Sequence, residues 1–117
     1  METATSIVLV VTAAANIAIA IADLARAEFV LANSAEVGVP ERWLPPLAVL
    51  KGTGGAGLLL WFADVTVLPV LAAAGLVCFF LVANAAHVRA RVFHNIGFPG
   101  VYLTLAIASL CLIVAAS

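Results

Sequence analysis

The chain has 117 residues and a mass of 12.0 kDa; 66% of its residues are hydrophobic, 9% are charged, and its mean hydropathy is +1.26. This composition is far outside the soluble globular range and predicts a single-domain integral membrane protein. With 5 basic and 6 acidic residues and a net charge of −1 at pH 7, the chain lacks the basic face of a nucleic-acid-binding protein and the high charge of a disordered tail.

The first apolar segment, residues 6–25, is long enough to cross a membrane as a helix. At a rise of about 1.5 Å per residue it extends about 30 Å, the thickness of the hydrocarbon core of a bilayer. Thr12, Asn16 and Asp23 interrupt the apolar run. The residues before it include Glu2 and no lysine or arginine, so we expect this helix to remain in the mature protein rather than to be removed as a signal peptide.

Three further apolar segments are predicted to cross the membrane: residues 47–62, 67–88 and 101–116. Pro45 and Pro46 suit the first turn of the second helix, where no backbone donor is needed. Residues 64–66 alone separate the second and third helices, which forces a hairpin. The last segment is the shortest, at about 24 Å. The sequence therefore predicts an all-α, integral membrane four-helix bundle with an antiparallel up-and-down topology in one domain.

Arginines mark one side of the membrane. They lie beside the first and third connections: Arg26, Arg42, Arg89 and Arg91. Because basic residues in short loops favour the cytoplasmic side, both termini of this multi-pass protein are expected to face outside. The first connection, residues 26–44, is the longest. Its opening residues are expected to continue the first helix until Gly38 and Pro40 stop it.

Polar side chains from several helices are expected at similar depth, in the cytoplasmic half of the bundle. The candidate catalytic residues are Asp23, Lys51 and His87, and the candidate ligand-binding residues include Asn16, Asn84 and Tyr102. An ionisable group at membrane depth costs roughly a few kcal/mol and needs a partner, a wet cavity or a route to the interface. We expect the polar helix faces to turn inwards, where Asp23 pairs with Lys51 or Arg26 and the two asparagines bond each other.

These groups favour acid–base chemistry, with Asp23 or His87 as general base or acid and Lys51 stabilising negative charge. Isomerisation, epoxide opening and cyclisation are suitable reactions. In the alternative interpretation, Asp23 and His87 are ordinary interfacial residues, Lys51 extends its stem to the headgroups, and the asparagines only join helices. We predict no metal site and no cofactor, because no third ligand lies at metal spacing from His87 and His94.

A run of glycines follows Lys51. Gly52, Gly54 and Gly57 formally fit the G-x-G-x-x-G pattern, but no strand precedes them, so a dinucleotide site is rejected. Together with Gly55 they form a small-residue face that allows close approach of a neighbouring helix. Lys51 lies one turn before Gly54 and Gly55, and its side chain is therefore expected to point into the bundle.

The two cysteines, Cys78 and Cys111, lie in separate apolar runs. Neither has a second cysteine near it in the sequence, so no redox pair and no thiolate zinc site is expected. We expect both to be small, buried apolar residues.

Several segments resemble a known family. They are Gly38-Val-Pro40, Leu44-Pro45-Pro46, Lys51-Gly-Thr-Gly-Gly-Ala-Gly-Leu-Leu-Leu60, Ala73-Ala-Gly-Leu-Val77 and Ala85-Ala-His87-Val-Arg89-Ala-Arg91. Over residues 38–91 the chain resembles the DoxX-like family of small bacterial four-helix membrane proteins. The resemblance implies a similar bundle in the bacterial cytoplasmic (inner) membrane. It also implies a site role for Lys51, His87 and Arg89, which match the polar signature of the family.

Two functions are compatible with the sequence. In the first, the bundle binds a lipophilic small molecule, either a quinone or an isoprenoid-like compound, and acts on it by acid–base chemistry. In the second, it is a non-catalytic accessory subunit or membrane anchor of a redox complex. The resemblance favours a redox connection, because the family's namesake is a subunit of a thiosulfate:quinone oxidoreductase. A homo-oligomer or a redox partner subunit is compatible with either function.

Overall fold

The computed structural model describes residues 2–116 as five helices joined by short turns. The helices are α1 (Glu2–Leu24), α2 (Glu28–Glu36), α3 (Leu44–Leu59), α4 (Val67–Arg89) and α5 (Gly97–Ala116). Short 3-10 turns, Glu41–Trp43 and Leu60–Ala63, adjoin the two ends of α3. There is no strand within residues 2–116, so the all-α prediction is confirmed.

Within the described part of the chain, four helical stretches are long and apolar enough to cross a membrane, which confirms the predicted number of spans. They are Thr3–Leu24, Glu41–Ala63, Val67–Arg89 and Gly97–Ala116. The last helix begins at Gly97 rather than at residue 101. Pro99 lies in its first turn, where a missing N–H leaves no hydrogen bond unmade. With 20 residues, α5 is about 30 Å long rather than about 24 Å. It is still the shortest of the four spans, as predicted.

The four long helices pack around a shared apolar core. α1 contacts α3 and α5, and α4 contacts the same two helices. The residues at the centre are almost fully buried: Leu9, Leu58, Ala73, Leu76, Phe80, Ala106 and Ile113. Polar contacts add to this core, since the hydroxyl of Ser109 donates to Oγ1 of Thr12 (3.0 Å), which joins α5 to α1. The outer surface is also rich in large apolar side chains, as expected where lipid rather than water surrounds the helices.

The glycines of α3 allow its neighbours to approach closely, as predicted. A Cβ atom on Gly57 would lie 2.8 Å from the Cβ of Ala72 in α4, and one on Gly55 would lie 3.0 Å from the main-chain oxygen of Ala13 in α1. Both distances are shorter than ordinary van der Waals contact. Glycine at these positions therefore sets the spacing of α3 from the helices on both sides.

The first connection is partly helical, but α2 is a separate helix and not a continuation of α1. Arg26 has a φ angle of 54°, and the N–H of Ala27 bonds to the oxygen of Ala22 (3.0 Å). This left-handed turn ends α1 and redirects the chain. The expected stop is present, since α2 ends before Gly38, which has a φ angle of 78°.

Both cysteines lie on the exposed surface of the bundle, so the expectation that they are buried was wrong. In a water-soluble protein an apolar run usually marks the core. In a membrane bundle the lipid-facing side of each helix is equally apolar, and apolar sequence alone does not distinguish the two sides. Cys78 belongs to α4 and Cys111 to α5.

Candidate functional site

A cavity of about 720 Å³ lies between α3 and α4, at the end of the bundle where α2 is placed. Most of its lining is apolar. The polar residues in the lining come from all five helices and the turn before α5: Asp23, Asn33, Ser34, Lys51, His87, Asn95 and Tyr102. The cavity thus contains all three residues that the sequence indicates as catalytic candidates, together with one of the candidate ligand-binding residues.

A buried ion pair lies in the cavity wall. Nζ of Lys51 is 2.5 Å from Oδ2 of Asp23, and the two side chains are 11% and 3% exposed. Asp23 is in the last turn of α1, and Lys51 is about 10 Å along α3 from its first residue, Leu44. This confirms the predicted pairing with Lys51. Arg26, the other predicted partner, instead binds Glu41 (2.9 Å) at the surface.

One aromatic ring faces the ammonium group, and two more continue from it. Nζ of Lys51 lies 5.5 Å from the centroid of the Phe79 ring, which is within range of a cation–π interaction. Phe80 contacts Phe79 edge-on, with centroids 5.0 Å apart, and contacts the ring of Tyr102 at 5.2 Å. The hydroxyl of Tyr102 donates to the main-chain oxygen of Ala15 in α1 (3.1 Å). The cavity therefore combines one ion pair with an aromatic wall.

His87 forms the second polar group of the cavity and is 4% exposed. Its Nδ1 lies 3.0 Å from the main-chain oxygen of Ala83, and its Nε2 lies 3.1 Å from Oδ1 of Asn33 in α2. The amide of Asn95 donates to the same Oδ1 (2.8 Å). These hydrogen bonds join α2, the end of α4 and the turn before α5.

The surroundings of His87 fix the orientation of its ring. The carbonyl oxygen of Ala83 can only accept, so Nδ1 is the donor in that hydrogen bond. The role of Nε2 as donor or acceptor depends on the tautomer and on which way the amides of Asn33 and Asn95 face. Both ring nitrogens therefore have a hydrogen-bond partner inside the cavity wall.

The sequence profile of the DoxX-like family matches residues 7–109, which is most of the chain. The chain belongs to the DoxX-like family. The match extends the predicted resemblance, which covered residues 38–91, to α1 and most of α5. No significant match was found among the curated proteins or among the solved structures.

In this member of the DoxX-like family, three of the predicted site residues lie outside the cavity. Arg89 is exposed at the end of α4. Asn16 is fully buried in α1, where its amide donates to the oxygen of Thr12 (2.9 Å). Asn84 donates to the oxygens of Phe80 (2.7 Å) and Pro99 (3.0 Å).

The expected hydrogen bond between Asn16 and Asn84 is therefore not formed. An asparagine inside a helix easily reaches the carbonyl oxygen four residues earlier, and this local bond replaces the distant one. The predicted polar stripe of α1 is nevertheless buried, with Thr12 and Asn16 at 0% and Asp23 at 3% exposure. Asn84, His87 and Arg91 are at helical spacing and were predicted to share one face of α4. Arg91 instead lies beyond the helix end, in a left-handed turn (φ 57°), and is exposed.

Sequence reasoning missed the polar residues of the connections, Asn33, Ser34 and Asn95. Asn33 and Ser34 follow the apolar residues of α2, and Asn95 lies in the turn before α5. A polar pair directly after an apolar stretch was the available signal, but it does not reveal which helix the pair contacts.

Within residues 2–116, no three His, Cys, Asp or Glu residues lie close enough together to hold a metal ion. His94 instead pairs with Glu36 at the surface.

Proposed function

We propose that this member of the DoxX-like family binds a lipophilic small molecule, a quinone or an isoprenoid-like compound, in the cavity beside α2. The observation that carries the proposal is the buried Lys51–Asp23 ion pair in the wall of an otherwise apolar cavity of about 720 Å³. Ligand sites are typically apolar cavities of this size with a few fixed polar groups. The ligand's polar head lies at the ion pair and its apolar part against the aromatic and aliphatic walls.

The energetic cost of the ion pair supports this assignment. A buried ion pair is rarely more stabilising than well-packed apolar residues of the same volume, because both charges lose their hydration. The stability of the fold alone therefore does not explain why this ion pair is present. An ammonium group has three donors and a carboxylate has about four acceptor positions. One ion pair does not use this capacity, and a ligand head can bind both groups at once.

Acid–base chemistry is the reaction class that these residues can perform. His87 or Asp23 would transfer a proton to or from the ligand head, and the ammonium of Lys51 would stabilise an oxyanion as it forms. Isomerisation of a double bond, opening of an epoxide and cyclisation each add a proton at one atom and remove a proton from another, with no redox step. In this proposal the hydroxyl of Tyr102, which donates its hydrogen to the oxygen of Ala15, offers its own oxygen as a hydrogen-bond acceptor to the bound head.

We place the cavity in the cytoplasmic half of a bacterial inner-membrane protein with both termini outside. The support is the position of Arg26, Arg42, Arg89 and Arg91 in the connections at the α2 end. Contacts along neighbouring helices support an up-and-down arrangement. Gly54 and Gly57 of α3 meet Leu76 and Ala72 of α4, so residue numbers rise along one helix as they fall along the other.

The test is retention of a lipophile by purified protein. We expect organic extracts of the wild type, purified in a mild detergent, to contain a lipophilic compound at up to one molecule per chain by mass spectrometry. The double variant Asp23→Leu/Lys51→Met should lose it. The matched control is Arg26→Gln/Glu41→Gln, which removes an exposed ion pair outside the cavity and should retain the compound.

The outcomes distinguish the two functions. A compound that persists in the Asp23→Leu/Lys51→Met variant would show that the ion pair is not its site. If the wild type carries no lipophile and also fails to bind added 2-decyl-1,4-benzoquinone, the ligand-binding proposal is wrong. The accessory subunit or membrane anchor of a redox complex is then the remaining candidate.

A further inference from the structure

The cavity is bordered on its outer side by exposed residues of α3 and α4. On α4, Leu71, Gly75, Cys78 and Val82 follow one another at helical spacing, and all four are exposed. On α3, Leu50 is 58% exposed and also lines the cavity. Residues that both line a cavity and face outwards form the rim of its opening. The cavity therefore opens sideways, between two membrane helices.

The end of the cavity nearest the connections is covered by α2. Val30 on this helix is only 6% exposed and faces the cavity. Asn33 holds α2 in place through its contacts with His87 and Asn95. Passage of a ligand from water at this end would have to break these hydrogen bonds, whereas movement through the side opening breaks none of them.

We propose that the ligand is an uncharged amphiphile with a single long chain, which moves in from the bilayer between α3 and α4 and leaves its chain in that opening. The inference rests on the proposed function and specifies the ligand class and its route. An alkyl or isoprenoid chain fits the opening because lipid surrounds this part of the helices, and a chain that stays there keeps its apolar contacts while the head enters.

The ion pair has no net charge, and this favours a ligand with an uncharged head group. Asp23 cancels the charge of Lys51, so the pair offers donors and acceptors without attracting a charged group. The pair lies about 10 Å inside the bundle from the first residue of α3, Leu44. A charged head would lose its hydration at this depth without a counter-charge to replace it. An uncharged carbonyl or hydroxyl head keeps its hydrogen bonds, and a flat ring packs on Phe79 and Phe80.

The opening can be narrowed at Gly75. A Cβ atom added to Gly75 would have no neighbouring atom within 4 Å. A larger side chain at this exposed rim position therefore makes no clash close to the backbone. Gly97 is also free of close neighbours at its Cβ but does not line the cavity. The variants Gly75→Phe and Gly97→Phe therefore make the same chemical change on and off the rim.

We expect Gly75→Phe to slow the binding of 2-decyl-1,4-benzoquinone by about tenfold, since association rates among variants of one site span 1–3 decades. Gly97→Phe should match the wild type. The probe is supplied in phosphatidylcholine liposomes, and stopped-flow quenching of tryptophan fluorescence reports its binding. A narrower route lowers the association rate, whereas damage to the site itself speeds release and leaves the association rate unchanged.

A second measurement uses the wild type. A decylbenzoquinone with a diazirine at the end of its chain should insert into residues 71–82 of α4 or 47–54 of α3 after illumination, as mapped by peptide mass spectrometry. Insertion confined to α2, or unchanged rates in Gly75→Phe, would overturn the lateral route while the proposed function stands. No binding of either probe to the wild type would overturn the proposed function and this inference with it.

Discussion

Replacing Lys51 with methionine is expected to lower the free energy of unfolding by about 3–5 kcal/mol, the cost of leaving one member of a buried ion pair unpaired. The carboxylate of Asp23 is 3% exposed and loses its counter-charge in this variant. Adding Asp23→Leu removes the unpaired charge. We therefore expect the double variant Asp23→Leu/Lys51→Met to recover most of the lost stability.

Unfolding by titration with sodium dodecyl sulfate in mixed micelles, followed by fluorescence of the 2 tryptophans, measures these differences. The control pair is Arg26 and Glu41, whose side chains are 57% and 54% exposed. Replacing either with glutamine should cost less than about 1 kcal/mol, as for other surface pairs. If Lys51→Met alone is as stable as the wild type, the ion pair is not buried in the protein as described.

The combination of stability and ligand retention separates a binding role from a structural one. A purely structural ion pair could be replaced by leucine and methionine without loss of any function. A binding pair can be replaced without loss of stability, but the lipophile is lost. We therefore expect the double variant to be stable and to carry no lipophile.

Replacing Gly57 with valine is expected to destabilise the bundle by about 1–3 kcal/mol more than the same change at Gly75. A Cβ on Gly57 would lie 2.8 Å from the Cβ of Ala72, an atom that cannot move without moving the backbone of α4. At Gly75 there is open space. Both positions are inside long helices and gain the same side chain, so helix propensity contributes similarly and the difference reports interhelical packing.

Thermal unfolding in dodecyl maltoside, with the amount of monomer checked by gel filtration, is a suitable measurement. Gly75→Val should stay within about 1 kcal/mol of the wild type, the range of glycine effects on helix propensity. Equal stability of the two variants would mean that α3 and α4 are farther apart than the structure places them. Such a separation would also change the shape of the cavity that they border.

The helices and the ion pair were accessible from the sequence because they depend on local patterns. Apolar length identifies the four spans. A period of 3.6 residues places Thr12, Asn16 and Asp23 on one face of α1, and the glycines after Lys51 indicate that this side chain points inwards. The sequence left two partners open for Asp23, Lys51 and Arg26, and the structure pairs Asp23 with Lys51 and Arg26 with Glu41.

The contacts that close the α2 end of the cavity could not be predicted from such local patterns. Asn33 and Asn95 lie 62 residues apart in the chain, and only the packing of four helices brings their connections together. Arg89 was predicted as a site residue from the resemblance alone, but it lies at the exposed end of α4, because a residue two positions after His87 is on another face of the helix. Residues with ionisable or hydrogen-bonding side chains can be identified from the sequence. Whether they share one cavity depends on the tertiary structure.

The central claim, that the polar head of a lipophile binds at the Lys51–Asp23 pair, is tested most directly by nitrogen-15 NMR of the protein in liposomes. The chain contains a single lysine, so lysine labelled at its side-chain nitrogen gives one assigned signal. Addition of 2-decyl-1,4-benzoquinone should shift this signal, whereas decane, which supplies a similar chain without a head, should not. A signal that stays unchanged at saturating quinone, or that exchanges with bulk water as an exposed ammonium does, would contradict the claim.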